Sequence, residues 1–193
     1  MASSNAGKIR EIARLLEDFG VEIVAQSELG VSDADETGAT FAENSLIKAR
    51  HASDVTGLAA IADDSGLAVD ALDGRPGVFS ARYAGVNATD DQNIDKLLRE
   101  LAEVDDEGRG AAFHCAASFV MPGSKQAIVA EGVWRGTILR VRRGEGGFGY
   151  DPIFRDPASG LTGAELTHDE KNARSHRGQA LRGLVALLQQ QFS

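Results

Sequence analysis

The sequence predicts a mixed α/β fold: a twisted sheet with flanking helices, forming an α/β lobe and a second, mostly β lobe with a cleft between them. Three observations predict it. Helical and extended patterns alternate through the first part of the chain. Two apolar, β-compatible runs, Ala111 to Met121 and Gln126 to Val141, flank the turn Pro122-Gly123-Ser124. A glycine-rich loop and a closing helix follow them. The 193 residues, 42% of them hydrophobic, suffice for a full core and are read as a single domain, 1–193, with no separate linker.

In chain order, small and polar residues from Met1 to Lys8 lead into a helix. Ile9, Ile12, Ala13, Leu15, Leu16 and Phe19 recur there at helical spacing, and Gly20 is placed to stop it. Val21 to Ala25 reads as a short strand, and Gln26 to Gly38 as an acidic loop carrying Glu28, Asp33, Asp35 and Glu36. Thr40-Phe41-Ala42-Glu43 is a capping box that opens a helix running to about Ser53. Lys48, Arg50 and His51 read as its solvated face. Leu58 to Ala62 is an apolar strand that enters Asp63-Asp64-Ser65-Gly66, and Leu67-Ala68-Val69 leaves it.

Leu72 to Gly77 is a turn by composition. A second capping box, Thr89 to Gln92, precedes a helix with Ile94, Leu97, Leu98 and Leu101 as its apolar stripe. Trp134 reads as a packing or lobe-interface residue rather than a ligand contact. A third capping box, Thr167 to Glu170, opens a segment with Lys171, Ser175, His176 and Arg177. The last helix is expected from Ala180 to about Gln191, burying Leu181, Leu184, Leu187 and Leu188.

Composition excludes some functions. A formal net charge of -9 argues against a nucleic-acid binder, which would show a basic face. No apolar run reaches the roughly 18 residues of a membrane span, and no signal peptide is visible, so no membrane partner and a cytoplasmic location are expected. The lone Cys115 forms no intrachain disulfide and reads as packed within a strand.

Chemistry concentrates at three places. Asp63 and Asp64 end an apolar strand, where ligands of open α/β sheets collect. Two carboxylates there are costly unless a metal, donors or water meets them, and strand alternation lets only one face a given pocket. In Gly144 to Pro152, four glycines let backbone approach a ligand, Phe148 and Tyr150 offer flat faces for a planar ring, and Asp151 offers an acceptor to a base edge. If the segment around them is helical, Lys171, His176 and Arg177 bring three donors within about two turns. At the N-terminus, the helix start with Lys8 suits an anion but is not a Walker loop, because Ile9 follows Gly7-Lys8.

Five motifs, spread over nearly the whole chain, together resemble one family. They are Ser4-Asn5-x-x-Lys8; Glu36-Thr37-Gly38 with Phe41-x-Glu43-Asn44; Ala62-Asp63-Asp64-Ser65-Gly66; Phe148-Gly149-Tyr150-Asp151-Pro152; and Ser175-His176-Arg177. Their order is that of the inosine/xanthosine triphosphate pyrophosphatases. The resemblance implies an ITPase-like fold, a homodimer, Mg²⁺, and hydrolysis of ITP, dITP or XTP to the monophosphate and pyrophosphate.

Carried onto this sequence, the resemblance makes Ser3, Ser4, Asn5, Ala6, Gly7 and Lys8 a cradle for the triphosphate. Asp64 becomes general base and metal ligand, with Asp35 as the other ligand and Glu36 its near alternative. Ser65 would contact substrate, and Phe148, Gly149, Tyr150, Asp151, Lys171, His176 and Arg177 would hold the base and its neighbouring phosphate. Two departures stand out. Asp35 lies where the family more often has Glu. Members also normally carry an apolar strand before the Ser-Asn motif, which here follows Met1 closely, so reduced stability and weaker substrate binding are expected.

Overall fold

The computed structural model describes Met1 and residues 22–192. The expected opening helix, its Gly20 stop and the segment Ser3 to Lys8 lie outside the described residues. The described elements are α1 (Phe41–Thr56), β1 (Ala60–Val69), α2 (Asp90–Glu100), β2 (Gly110–Val120), β3 (Ala127–Ile138), β4 (Phe154–Arg155), α3 (His168–Arg174) and α4 (His176–Phe192). The strands form one sheet in the order β1-β2-β3-β4. β4 runs antiparallel to β3, with Thr137 opposite Arg155 and Ile138 opposite Phe154. The mixed α/β class expected from the sequence is the one observed, a four-strand antiparallel sheet with flanking helices.

Each predicted capping box starts a helix. Thr40 Oγ1 accepts the Glu43 N–H at 3.1 Å and Glu43 Oε2 accepts the Thr40 N–H at 3.1 Å, opening α1. Thr89 with Gln92 and Thr167 with Glu170 make the same reciprocal pair for α2 and α3. Each closes two backbone groups that a helix start otherwise leaves unpaired.

The chain separates into two compact units. One comprises Met1–Asp64, Cys115–Gly132 and Arg177–Ser193; the other comprises Ser65–His114 and Val133–His176. In the first, Ile61, Cys115, Ala117, Ala180, Leu181, Leu184 and Leu188 form one apolar cluster, and Val31, Ala49, Ala52, Ala60, Ala62 and Val120 another. In the second, Leu67, Val69, Ile94, Leu97, Leu101, Phe113, Trp134, Ile153 and Phe154 pack together. Trp134 is thus the packing residue expected, with its Nε1–H donated to Asp156 Oδ1 at 3.0 Å.

Four expectations are corrected. Glu22 to Ala25 carries no strand assignment. Among the described residues, its hydrogen-bond neighbour is Met1, whose amino group donates to Val24 O at 2.6 Å, and the chain turns at once into a 3₁₀ segment, Gln26–Leu29. β1 does not end at the carboxylates but runs through Asp63, Asp64, Ser65 and Gly66 to Val69. The third helical segment is interrupted, because Ser175 is extended at φ -62° and ψ 153°, and α4 restarts at His176. Leu187 is 39% exposed, since the buried stripe of α4 passes through Ala180, Leu181, Leu184 and Leu188.

In the second unit the Tyr83 hydroxyl donates to Glu100 Oε2. Burial, then the Glu100 carboxylate, pushes Tyr83 up to about 12. The folded chain therefore keeps this proton longer than the unfolded chain does. The stabilisation is present in full below about pH 10 and is lost as pH rises through 12. Tyr83→Phe is expected to flatten the fall in stability between these values. Urea titrations at successive pH values check this, and an unchanged alkaline limb would exclude Tyr83 as its source.

Candidate active site

In the first unit, α1 and the loop before it build an acidic site around Asp64. Glu43 Oε2 accepts the Ala39 N–H at 2.7 Å, and Asn44 Oδ1 accepts the Gly38 N–H at 2.8 Å. The loop is held so closely that a Cβ on Gly38 would lie 2.7 Å from Asn44 Oδ1. This is a local reason for Glu36-Thr37-Gly38 and Phe41-x-Glu43-Asn44 to occur together. Asn44, fully buried, also donates its Nδ2–H to Asp64 Oδ2 at 3.4 Å. One turn later Lys48 donates to Asp64 Oδ1 at 2.8 Å and to Glu36 Oε1 at 2.9 Å.

Lys48 therefore sits between two carboxylates. Sequence reading placed it on a solvated face and missed it, as it missed the role of Asn44. The available signal was the i, i+4 spacing of Asn44 and Lys48, which puts both on one helix face. Asp35, the expected metal ligand, is exposed, while its neighbour Glu36 is the acid that shares Lys48 with Asp64. Burial pushes the Asp64 carboxyl above the usual range and the Glu36 charge adds to this, with Lys48 and Asn44 opposing. Burial pulls the Lys48 ammonium down, but Asp64 and Glu36 outweigh it and hold it above its ordinary value.

Asp63 has a different set of partners. Its Oδ2 accepts the Arg177 Nε–H at 3.1 Å, and Cys115 Sγ lies 4.0 Å from the same oxygen. Both members of this ion pair are buried, at 2% and 7% exposure. Alternation along β1 is the cause: adjacent residues point to opposite faces. Ser65 follows on the same strand, half-buried.

In the second unit, the glycine loop carries Phe148 exposed and Tyr150 buried. The Tyr150 hydroxyl donates to Ser80 O at 2.9 Å, so its ring belongs to the core and does not offer the flat face expected of it. Gly149 N–H donates to Asp90 Oδ2 at 2.6 Å. Asp151 was expected to meet a base edge. Instead its Oδ2 accepts the Phe148 N–H at 2.8 Å and the Lys171 ammonium. The Lys171 nitrogen lies 4.7 Å from the centroid of the Phe148 ring. Gly147 has φ +76° and any Cβ there would collide with the Asp151 carboxylate, so this turn requires glycine. His176 is buried and its ring stacks on Phe113.

Among the described residues, no group of three or more His, Cys, Asp or Glu is placed to hold a metal. Mg²⁺ needs no such cage, because it binds through one or two carboxylates together with substrate phosphates and water. Asp64 and Glu36, both oxygen donors gathered around one cation, fit that requirement.

The comparisons agree over nearly the full length. The chain is 58% identical over 189 residues to the dITP/XTP pyrophosphatase of Pectobacterium atrosepticum, covering 97% of this chain and 96% of that protein. It is equally similar, over the same shares, to the dITP/XTP pyrophosphatase of Salmonella typhimurium. Among solved structures, a HAM1 protein from Coxiella burnetii superposes with a TM-score of 0.92 at 50% identity, covering 97% of this chain and 96% of that one. A nucleoside-triphosphatase / dITP/XTP pyrophosphatase from Mycobacterium abscessus gives 0.79 at 48% identity, covering 96% of each chain. The model of the Ham1 family matches residues 1–187, and with relatives this similar along the whole length, the chain belongs to the Ham1 family.

Proposed function

We propose that this chain hydrolyses deaminated purine nucleoside triphosphates, ITP, dITP and XTP, to the monophosphate and pyrophosphate, and so cleanses the nucleotide pool. The observation that carries the reading is the buried Asp64 carboxylate, held by Asn44 and sharing Lys48 with Glu36. The names of the relatives support the substrate class.

Asp64 is the general base, taking a proton from the water that attacks the α-phosphorus as the bond to the pyrophosphate oxygen breaks. A carboxyl raised by burial suits this task better than an ordinary one. Lys48 supplies positive charge beside it. Mg²⁺, held by Asp64 and Glu36 rather than Asp35, would offset charge on the departing pyrophosphate and lower the pKa of water. Ser3 to Lys8 cradle the triphosphate, and Ser65 contacts substrate. Phe148 gives the base an apolar face, while Asp151 positions Lys171. Donors at His176 and Arg177 suit a 6-oxo group and leave the amino group of adenine unmatched. The same proposal includes a homodimer and a cytoplasmic location. No described helix is long and apolar enough to cross a membrane.

The test is pyrophosphate release from ITP, with ATP and GTP as controls, with and without Mg²⁺. Fast, Mg²⁺-dependent release from ITP is expected. Equal release from ATP and GTP would overturn the base preference, and no release from any of the three would overturn the enzyme reading.

A further inference from the structure

The Phe113 and His176 rings lie almost parallel, 9° apart with centroids separated by 4.8 Å. Both side chains are buried. Phe113 is itself braced: the Phe154 ring tilts against it at 4.6 Å and 55°, and Trp134 lies 6.2 Å away at 24°. Trp134 lies beside the pair, its ring 15° from the imidazole plane at 6.5 Å. His176 opens α4 directly after the extended Ser175, so its backbone is fixed by a helix start while its ring plane is fixed by neighbours.

We propose that Phe113 is a positioning residue for base selection, holding the His176 imidazole in the plane from which its ring edge meets the 6-oxo group of the purine. This rests on the reading of His176 as a base-edge donor. A hydrogen bond weakens steeply as donor and acceptor fall out of line, so a ring free to turn discriminates poorly even when its nitrogens remain in reach. A face-to-face stack controls that turn without occupying the polar edge. Phe113 never touches substrate on this account and acts through His176.

The experiment is a double-mutant cycle read as selectivity: the kcat/KM ratios ITP:ATP and ITP:GTP for wild type, Phe113→Leu, His176→Ala and the double variant. ATP lacks the 6-oxo group and GTP keeps it. Phe113→Leu is expected to lower ITP:ATP about tenfold, the scale of one well-made hydrogen bond. ITP:GTP stays unchanged, and the double variant loses no more selectivity than His176→Ala alone. Fluorescence of Trp134, the only tryptophan, reports the packing of each variant. If the leucine variant does not fold, Phe113→Met, with an adaptable apolar chain, is read in the same way.

Unchanged ITP:ATP in the Phe113 variant, with a loss in His176→Ala, would overturn the proposal and leave His176 as the reader. Additive losses in the double variant, or an equal fall in ITP:GTP, would also overturn it. No change in His176→Ala would overturn the reading of His176 and the proposal together.

Discussion

Asp64→Asn is expected to lower kcat for ITP by about 10²–10⁴, the usual contribution of a positioned base, with the fold retained. The substitution keeps the shape of the side chain and removes a charge that burial disfavours. Lys48 is not orphaned by it, because Glu36 Oε1 remains 2.9 Å away. Thermal unfolding followed by circular dichroism, beside steady-state pyrophosphate release, separates the two effects. A variant that keeps near-normal kcat would remove Asp64 from the base role. A large fall in the unfolding midpoint would instead make Asp64 a structural carboxylate.

Arg177→Met is expected to have the largest effect on stability, about 3–5 kcal/mol, because it removes the guanidinium charge that faces the buried Asp63 carboxylate. The pair is almost wholly enclosed, with side-chain exposures of 8% for Arg177 and 1% for Asp63. In a chain of this size the midpoint should fall by roughly 10 °C. The double variant Asp63→Leu/Arg177→Met should recover much of the loss, since no uncompensated charge is then buried. Equal midpoints for the single and double variants would show that the loss comes from packing of the long side chain and not from the stranded charge.

What the sequence made legible is what short spacing encodes. The three capping boxes depend on residues three positions apart, and all three formed. The β2–β3 hairpin follows from two apolar runs and the turn between them, and the apolar stripe of α2 follows from its period. The apolar run stops at Ala62, so the sequence places the carboxylates at the end of the strand. The strand continues through both carboxylates, beside β2 in the sheet, and the side chains that meet them lie 114 positions away for Asp63 and 16 for Asp64. No local pattern announces an arginine on the last helix. Lys48 was hidden for the same reason: helical spacing gives its face, not the carboxylates that meet it. The glycine run was legible as a loop, but the burial of Tyr150 and the inward use of Asp151 depend on Ser80 and Lys171, which are distant in sequence.

The adjacency of Asp63 and Asp64 on β1 has a consequence for how this chain can change. Neighbouring identical side chains suggest a spare, yet each is committed to a different set of partners. A one-codon insertion or deletion at the start of β1, ahead of Ile61, would carry each carboxylate to the other's face. It would also turn Ile61 and Ala62 the wrong way within the strand. The length of β1 in codons is thus held fixed by both carboxylates at once.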